Sequence, residues 1–390
     1  MDSRYLSRLV VDDAFAAGKM AFVSGPRQVG KTTLGKGLLR APENYFSWDD
    51  VRFRRAWVKS PHDALASARE GPVVLDEIHK DRRWKSRLKG YFDTSGSGAG
   101  LLVTGSARLD LYRRGGDSML GRFLPYRLHP WSVAERTTPP GPDALEARPV
   151  EVAWESLLAL GGFPEPLFAA SENKAKRWSR LRIERLVQED VRDIRAVADL
   201  SGLRLLADLL PDRVGSLLSV NALREDLGVS HGTLTAWLEV FEALYFSFFV
   251  RPYTRKLARA VAKAPKVYLF DPLQISRANL GARLENLTAL HLRKACDYWT
   301  DSAQGHFELR YLRNKDQREV DFLILRDREP WFLIECKTSD TQVSSDLVFF
   351  QASLRAPHAV QLVQRDGFDR LDRMTGIRIV DYERFFSGWV

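Results

Sequence analysis

The chain has 390 residues, enough for two or three domains with cores of their own. It is 45% apolar and 28% charged, the balance of a soluble globular protein, and no apolar run reaches the roughly 18–20 residues of a membrane span. Basic residues outnumber acidic ones, 59 against 50, which favours a polyanionic partner without bearing on fold. Two cysteines, Cys296 and Cys336, exclude a disulfide framework and a cysteine-only zinc site. The opening MDSRYLSRLV lacks an apolar segment of the secretory kind, so the expected location is the cytoplasm, with no membrane partner.

Residues 1–18 are expected to form a helix with Tyr5, Leu6, Leu9, Val10 and Phe15 on its apolar side. MAFVS, residues 20–24, follows as a short buried strand. The next stretch, Gly25, Pro26, Arg27, Gln28, Val29, Gly30, Lys31 and Thr32, fits G-x-x-x-x-G-K-[ST] without a mismatch. A helix is expected to continue from Thr32 and Thr33, weakened by Gly35 and Gly37. The two loop glycines allow successive N–H groups to face one anion at a helix N-terminus, so residues 25–33 are the expected triphosphate cradle. Lys31 is expected to reach the β- and γ-phosphates and the Thr32 hydroxyl to ligate Mg²⁺, making ATP and Mg²⁺ the expected cofactors.

Residues 43–48 read as a second strand and the charged stretch to Arg69 as helix. GPVVLDEI, residues 71–78, reads as a buried parallel strand ending in two acids. Asp76 is the expected Mg²⁺ ligand and Glu77 the general base that polarises the attacking water. LLVTGSAR, residues 101–108, is another strand whose carboxyl end should face the same site. There Thr104 or Ser106 can bond the γ-phosphate or the lytic water, and Arg108 can add positive charge.

GPRQVGKTTL, VVLDEIHK and LLVTGSARL together resemble the AAA+-type ATPases of bacteria and archaea that carry a C-terminal domain of unknown function. MLGRFLPYRLHPWSVAE (119–135) and GGFPEP (161–166) resemble the sequence that follows the ATPase core in such proteins. The resemblance implies that Arg122 is an arginine finger acting on a neighbouring subunit, in a ring that is commonly a hexamer. A structural ion pair is the competing role for Arg122. Residues 137–143 have linker composition, giving domains at 1–150, 151–265 and 266–390.

From 150 to 198 the pattern is helical and rich in Lys174, Lys176, Arg177, Arg180, Arg182 and Arg185. Glu184, Glu189 and Asp190 intervene, so a salt-bridged exposed helix and a DNA-facing one both fit. Residues 219–244 read as helix–turn–helix, with Gly228 closing the first helix and Ser230 capping the second. Residues 245–253 are expected as a wing, and the segment resembles the winged helix of the same family. Its second helix should expose Thr233, Thr235, Glu239 and Glu242, an unfavourable set for a DNA groove. Arg251, Arg255, Lys256, Arg259, Lys263 and Lys266 are therefore the expected DNA contacts, with a structural or protein-binding winged helix as the alternative.

A helix over residues 281–292 carries Glu285, and strand-like runs follow at 307–312, 319–325 and 330–336. Glu335 and Lys337 share one strand face while Cys336 points the other way. With Asp321 on the preceding strand, this set resembles the restriction-endonuclease-like nucleases. That resemblance implies Asp321 and Glu335 on Mg²⁺, Glu285 assisting, and Lys337 beside the attacking water. His79 and His291 read as structural. The whole is an α/β chain: an AAA+-like P-loop sheet, a helical and winged-helix domain, and a restriction-endonuclease-like domain. The reading is a Mg²⁺-dependent ATPase that remodels or translocates on DNA, branched or single-stranded, with a C-terminal nuclease as an added activity. The alternative is an ATP-gated switch that binds a protein partner and carries a degenerate nuclease-like domain.

Overall fold

Short apolar runs that bury every residue make the centre of the first half. In the computed structural model, residues 4–95, 100–105, 119, 121–191, 199–254 and 264–390 are described. Strand β1 (Met20–Ser24) is buried along its whole length. So are β3 (Val73–Asp76) and β4 (Leu101–Thr104), whereas β2 (Tyr45–Ser47) and β5 (Phe123–Arg127) are half-exposed edges. The five strands lie in the order β2-β3-β4-β1-β5, and every pair is parallel. Parallel strands buried on both faces read as continuous apolar runs, which is why MAFVS, VVLD and LLVT were legible.

Helix α1 (Leu6–Leu9) runs on as a π-helical turn, Val10–Phe15, and buries Tyr5, Leu6, Val10 and Ala14. Helix α2 (Lys31–Gly37) leaves the phosphate-loop sequence directly. A Cβ at Gly35 would stand 3.1 Å from Val74 and 3.3 Å from Leu102. The glycine that lowers helix propensity thus lets α2 lie close on β3 and β4. Helix α3 (Val51–Lys59) is capped by Asp50, whose carboxylate accepts the Arg52 N–H, and it buries Phe53 and Trp57. Those two rings join Phe22, Phe46, Leu75, Val103 and Trp84, the first residue of α4 (Trp84–Ser95), in one core cluster.

The chain forms two units: 1–129 with 136–139, and 130–135 with 140–390. In the second, α5 (Trp154–Leu160), α6 (Pro164–Phe168), α7 (Glu172–Arg185), α8 (Leu200–Leu209), α9 (Val220–Leu227) and α10 (His231–Ala243) come first. Gly228 ends α9 at φ 64°, and the Ser230 hydroxyl accepts the Thr233 N–H at the start of α10. Leu234, Trp237, Leu238, Phe241 and Leu244 are buried, as their spacing requires.

An eight-stranded sheet follows, built from β6 (Ser247–Pro252), β7 (Lys266–Leu269), β8 (Phe307–Arg313), β9 (Glu319–Arg326), β10 (Glu329–Lys337), β11 (His358–Val363), β12 (Asp369–Leu371) and β13 (Arg378–Asp381). Its order is β12-β13-β11-β10-β9-β8-β6-β7. The 22-residue α11 (Leu280–Asp301) packs on the sheet and runs past the expected end at 292, because Ala295, Cys296 and Trp299 continue its buried face. Helices α12 (Ser345–Leu354) and α13 (Tyr382–Phe386) complete the unit.

The residues expected as a wing are β6, which pairs antiparallel with β7 and parallel with β8. They therefore belong to the large sheet, and the expected border at 265/266 falls between two paired strands. Among the described residues no helix is long and apolar enough to cross a membrane.

Candidate functional site

The loop between β1 and α2 is shaped by left-handed backbone. Gly25 lies at φ 151°, and a Cβ there would stand 2.3 Å from the Leu128 carbonyl oxygen. Gly30, at φ 101°, caps α2. The buried Arg4 guanidinium donates to the carbonyls of Val29 (2.7 Å) and His129 (2.6 Å), fixing the loop from outside the motif. Lys31 is buried, and its Nζ donates to the carbonyls of Gly25 (2.9 Å) and Pro26 (2.7 Å). Pro26 and Val29 are also buried; Arg27, Gln28 and Thr33 are exposed.

Asp76, at the end of β3, gathers the neighbouring hydroxyls. Thr32 Oγ1 donates to its Oδ2 at 2.9 Å, Tyr45 to the same oxygen at 2.6 Å, and Thr104 to Oδ1. Thr32 opens α2 and Asp76 closes β3, so the motif threonine and the strand-end acid meet. Burial and the Asp76 carboxylate both raise the Tyr45 pKa, which keeps it a hydrogen-bond donor. A threonine hydroxyl beside a carboxylate is the hard-oxygen donor set that suits Mg²⁺.

Glu77 leaves the strand in left-handed conformation, φ 59°, with its N–H on the Thr104 carbonyl at 3.0 Å. Such backbone at a non-glycine residue costs about 1–3 kcal/mol and clusters at functional sites. Its carboxylate lies 3.5 Å from His79 Nε2 and 3.7 Å from Lys80 Nζ. Burial raises the Glu77 pKa, against the opposing pull of Lys31 and Lys80. Arg122 makes a two-bond ion pair with Asp93, Nε to Oδ1 at 2.7 Å and Nη2 to Oδ2 at 3.1 Å. Ser106 and Arg108 lie outside the described residues.

In the second unit Glu285, Asp321, Glu335 and Lys337 lie together, but Glu285 and Asp321 face a buried cation and Glu335 pairs with Lys337. Lys266, on β7 and 2% exposed, sets its Nζ 3.1 Å from Glu285, 2.7 Å from Glu319 and 3.4 Å from Asp321. Asp321 Oδ2 accepts the Cys336 N–H at 2.9 Å, and Lys337 Nζ donates to Glu335 at 2.8 Å. The Tyr268 hydroxyl donates to Glu285 at 2.7 Å, and Arg313 holds Glu319 at 2.8 Å.

Burial and then Asp321 push Glu285 up to about 7 and Glu335 up to about 8. Burial works against the Lys266 ammonium, yet the three carboxylates outweigh it and hold its pKa above the usual range. Among the described residues no three His, Cys, Asp or Glu side chains are arranged to hold a metal ion. Lys266, expected on a DNA-facing segment, is instead the centre of this buried network. Arg251 is exposed, and Arg255, Lys256, Arg259 and Lys263 lie outside the described residues.

Comparison with known proteins agrees with the geometry of the first unit. Residues 17–137 match an AAA domain. Profiles of two domains of unknown function match residues 151–300 (DUF8612) and 280–385 (DUF4143). Uncharacterized proteins of Mycobacterium bovis and Mycobacterium tuberculosis are each 24% identical over 310 residues, 74% of this chain and 67% of theirs. An uncharacterized protein of Methanocaldococcus jannaschii is 23% identical over 332 residues, 71% of this chain and 68% of its own. The AAA match is the type of a nucleotide-dependent ATPase, and it spans the loop, β3 with Asp76, and β4.

Within the AAA-like unit, sequence reasoning missed Arg4, Tyr45 and the His79–Glu77 contact. None carries a motif signal. Arg4 lies upstream of the loop, Tyr45 reads as one more strand aromatic, and His79 has no partner at metal-ligand spacing.

Proposed function

We propose that the chain is a Mg²⁺-dependent ATPase acting on DNA, with hydrolysis confined to the AAA-like unit. The observation that carries this reading is the hydrogen bond from Thr32 to Asp76, since it brings the two residues expected on one metal within 2.9 Å. The backbone N–H groups of residues 25–33, Pro26 excepted, receive the phosphates, and Lys31 exchanges the Gly25 and Pro26 carbonyls for phosphate oxygens. Thr32 and Asp76 are the residues that would hold Mg²⁺, which when bound would supply positive charge to the phosphates. Thr104 and Tyr45 orient the Asp76 carboxylate from two sides. Glu77 takes the proton of the attacking water, and its raised pKa brings it nearer the working pH of a general base.

Arg122 can reach a neighbouring subunit's phosphates only by giving up Asp93. A homo-oligomeric ring is part of the proposal on that condition. Net charge supports DNA as the polymer partner, with 59 basic residues against 50 acidic ones.

The second reading is an ATP-gated switch for a protein partner, whose nuclease-like domain does not cut. One observation favours it: Lys266 already pairs with Asp321 and Glu285, two of the three acids expected at the metal. ATP turnover of the full chain with no DNA, duplex, single strand and branched DNA separates the two. Stimulation of several-fold that fades with salt supports the DNA reading. Turnover indifferent to every DNA supports the switch, and no turnover in wild type at all removes both.

A further inference from the structure

Helix α7 has two faces of opposite character. Ala175, Trp178, Ser179, Arg182 and Ile183 are buried. Lys174, Lys176, Arg177, Arg180 and Arg185 are exposed; at 3.6 residues per turn Arg177 and Arg180 fall opposite the buried face, with Lys174, Lys176 and Arg185 on its flanks. Four other arginines of the unit are tied to acids: Arg204 to Asp208, Arg213 to Asp226, Arg224 to Glu225, Arg277 to Glu172. Among the described residues, these five basic side chains of α7 have no ion pair or hydrogen bond. Glu172, the acid of the first turn, is taken by Arg277 at 2.6 Å, and Glu184 is half-buried and bonded to none of the five. A helix kept charged only for solubility interleaves acids three or four residues away, which offsets the repulsion. Here Glu172 and Glu184 stand four residues from Lys176 and Arg180, yet neither bonds to them.

We propose that the exposed face of α7 is a docking surface for the sugar–phosphate backbone of duplex DNA. The assignment rests on the DNA reading above and gives it a location. Fourteen residues at 1.5 Å each present a face roughly 20 Å long, against duplex DNA with one charge per ~1.7 Å of axis. A membrane surface fits poorly, because an interfacial helix needs its apolar side outward, and α7 has spent that side on the core. Leu181 is its single exposed large apolar residue, at 36%. A protein partner would want aromatic or apolar anchors among the charges, and the exposed face has none beyond that leucine. Phosphate bonds of this kind position the duplex and carry no sequence information. By contrast, α10 exposes Glu239 and Glu242 and is the wrong helix for the task.

The test is fluorescence anisotropy of a labelled mixed-sequence duplex with the full chain, titrated over salt. The variant Lys174→Gln/Arg177→Gln/Arg180→Gln is compared with an equal-charge control on α3, Arg52→Gln/Arg55→Gln/Lys59→Gln. Glutamine is a good helix former, so both should keep the fold, and ATP turnover without DNA checks this. At ~0.1 M salt the α7 variant should bind on the order of tenfold more weakly, with the salt slope reduced by ~0.9 for each phosphate it no longer neutralises. The control should bind like wild type.

Equal weakening in both variants, or none in the α7 variant, overturns the assignment and leaves the proposed function standing. No wild-type binding at any salt removes the DNA reading and this surface with it. Anionic vesicles or an acidic polypeptide that bind wild type as tightly as duplex, with the same weakening on substitution, also overturn it. If the triple variant loses ATP turnover, Lys174→Gln/Arg177→Gln and Arg180→Gln/Arg185→Gln are tested separately.

Discussion

A carboxylate is a useful base only if its environment holds it near the pH of its work, and Glu77 meets that condition by position. Left-handed backbone turns it off the end of β3, and burial raises its pKa while Lys31 and Lys80 pull the other way. Glu77→Gln should therefore keep ATP binding and lose turnover by ~10²–10⁴-fold. The wild-type pH–rate profile should show an acid limb above the ordinary glutamate range, and that limb should vanish in the variant. Wild-type turnover in Glu77→Gln removes Glu77 as the base.

Lys266 answers the opposite problem. Glu285, Glu319, Asp321 and Glu335, four carboxylates, face three cations, Lys266, Arg313 and Lys337, so one negative charge is in excess. A proton on Glu285 or Glu335 relieves it, as their values of about 7 and about 8 express. Raised folded-state values mean that the folded chain binds more protons than the unfolded one. Their stability contribution is full below pH ~4.5 and is lost as pH rises through 7 to 8. Lys266→Met should cost about 3–5 kcal/mol at pH 8, read by denaturant melts, with part recovered at pH 5. A melt unchanged at pH 8 would show that the ammonium is not what holds these acids.

Elements show why some of this was legible and some was not. The P-loop, β1, β3 and β4 follow from runs buried on both faces and from a motif whose Gly25 and Gly30 take positive φ. Gly25→Ala makes the point testable. At φ 151°, with 2.3 Å to the Leu128 oxygen, an added Cβ forces backbone to move in the loop. ATP affinity and the melting temperature of the AAA-like unit should both fall, while Gly37→Ala, with nothing within 4 Å of its Cβ, should leave affinity unchanged and raise helix stability slightly. Equal affinity for both variants contradicts the role given to the close approach.

The helix–turn–helix was equally readable, through Gly228, Ser230 and the apolar spacing of α10. Beyond it the sequence ran out for a physical reason. A strand run states that a segment pairs, never with what, so β6 looked like a wing while its hydrogen bonds go to β7 and β8. Lys266 was misread for the same cause. Counted with its basic neighbours it suggested DNA, yet β7 carries it inward, toward acids on α11 and β9 that lie 19 to 55 residues away. Charge is visible in one dimension; its partners are not.

At the scale of the whole molecule, the question is whether one chain hydrolyses two kinds of phosphate bond or one. Both units bring acids together, but they satisfy them differently. In the AAA-like unit Asp76 is met by neutral hydroxyls from Thr32, Thr104 and Tyr45, which can make way for or share a cation. In the second unit the acids meet the full charge of Lys266, 2% exposed and bound on three sides. Displacing it requires moving an ammonium out of a buried network, a cost of several kcal/mol against a divalent ion that must also shed water. ATP turnover should accordingly depend on Mg²⁺, while supercoiled plasmid incubated with the full chain, Mg²⁺ or Mn²⁺ and ATP should remain intact. Asp321→Ala and Lys337→Ala should leave ATP turnover unchanged. Nicking by wild type that both substitutions abolish would reinstate the second unit as a nuclease, and would mean that Lys266 yields its place when substrate arrives.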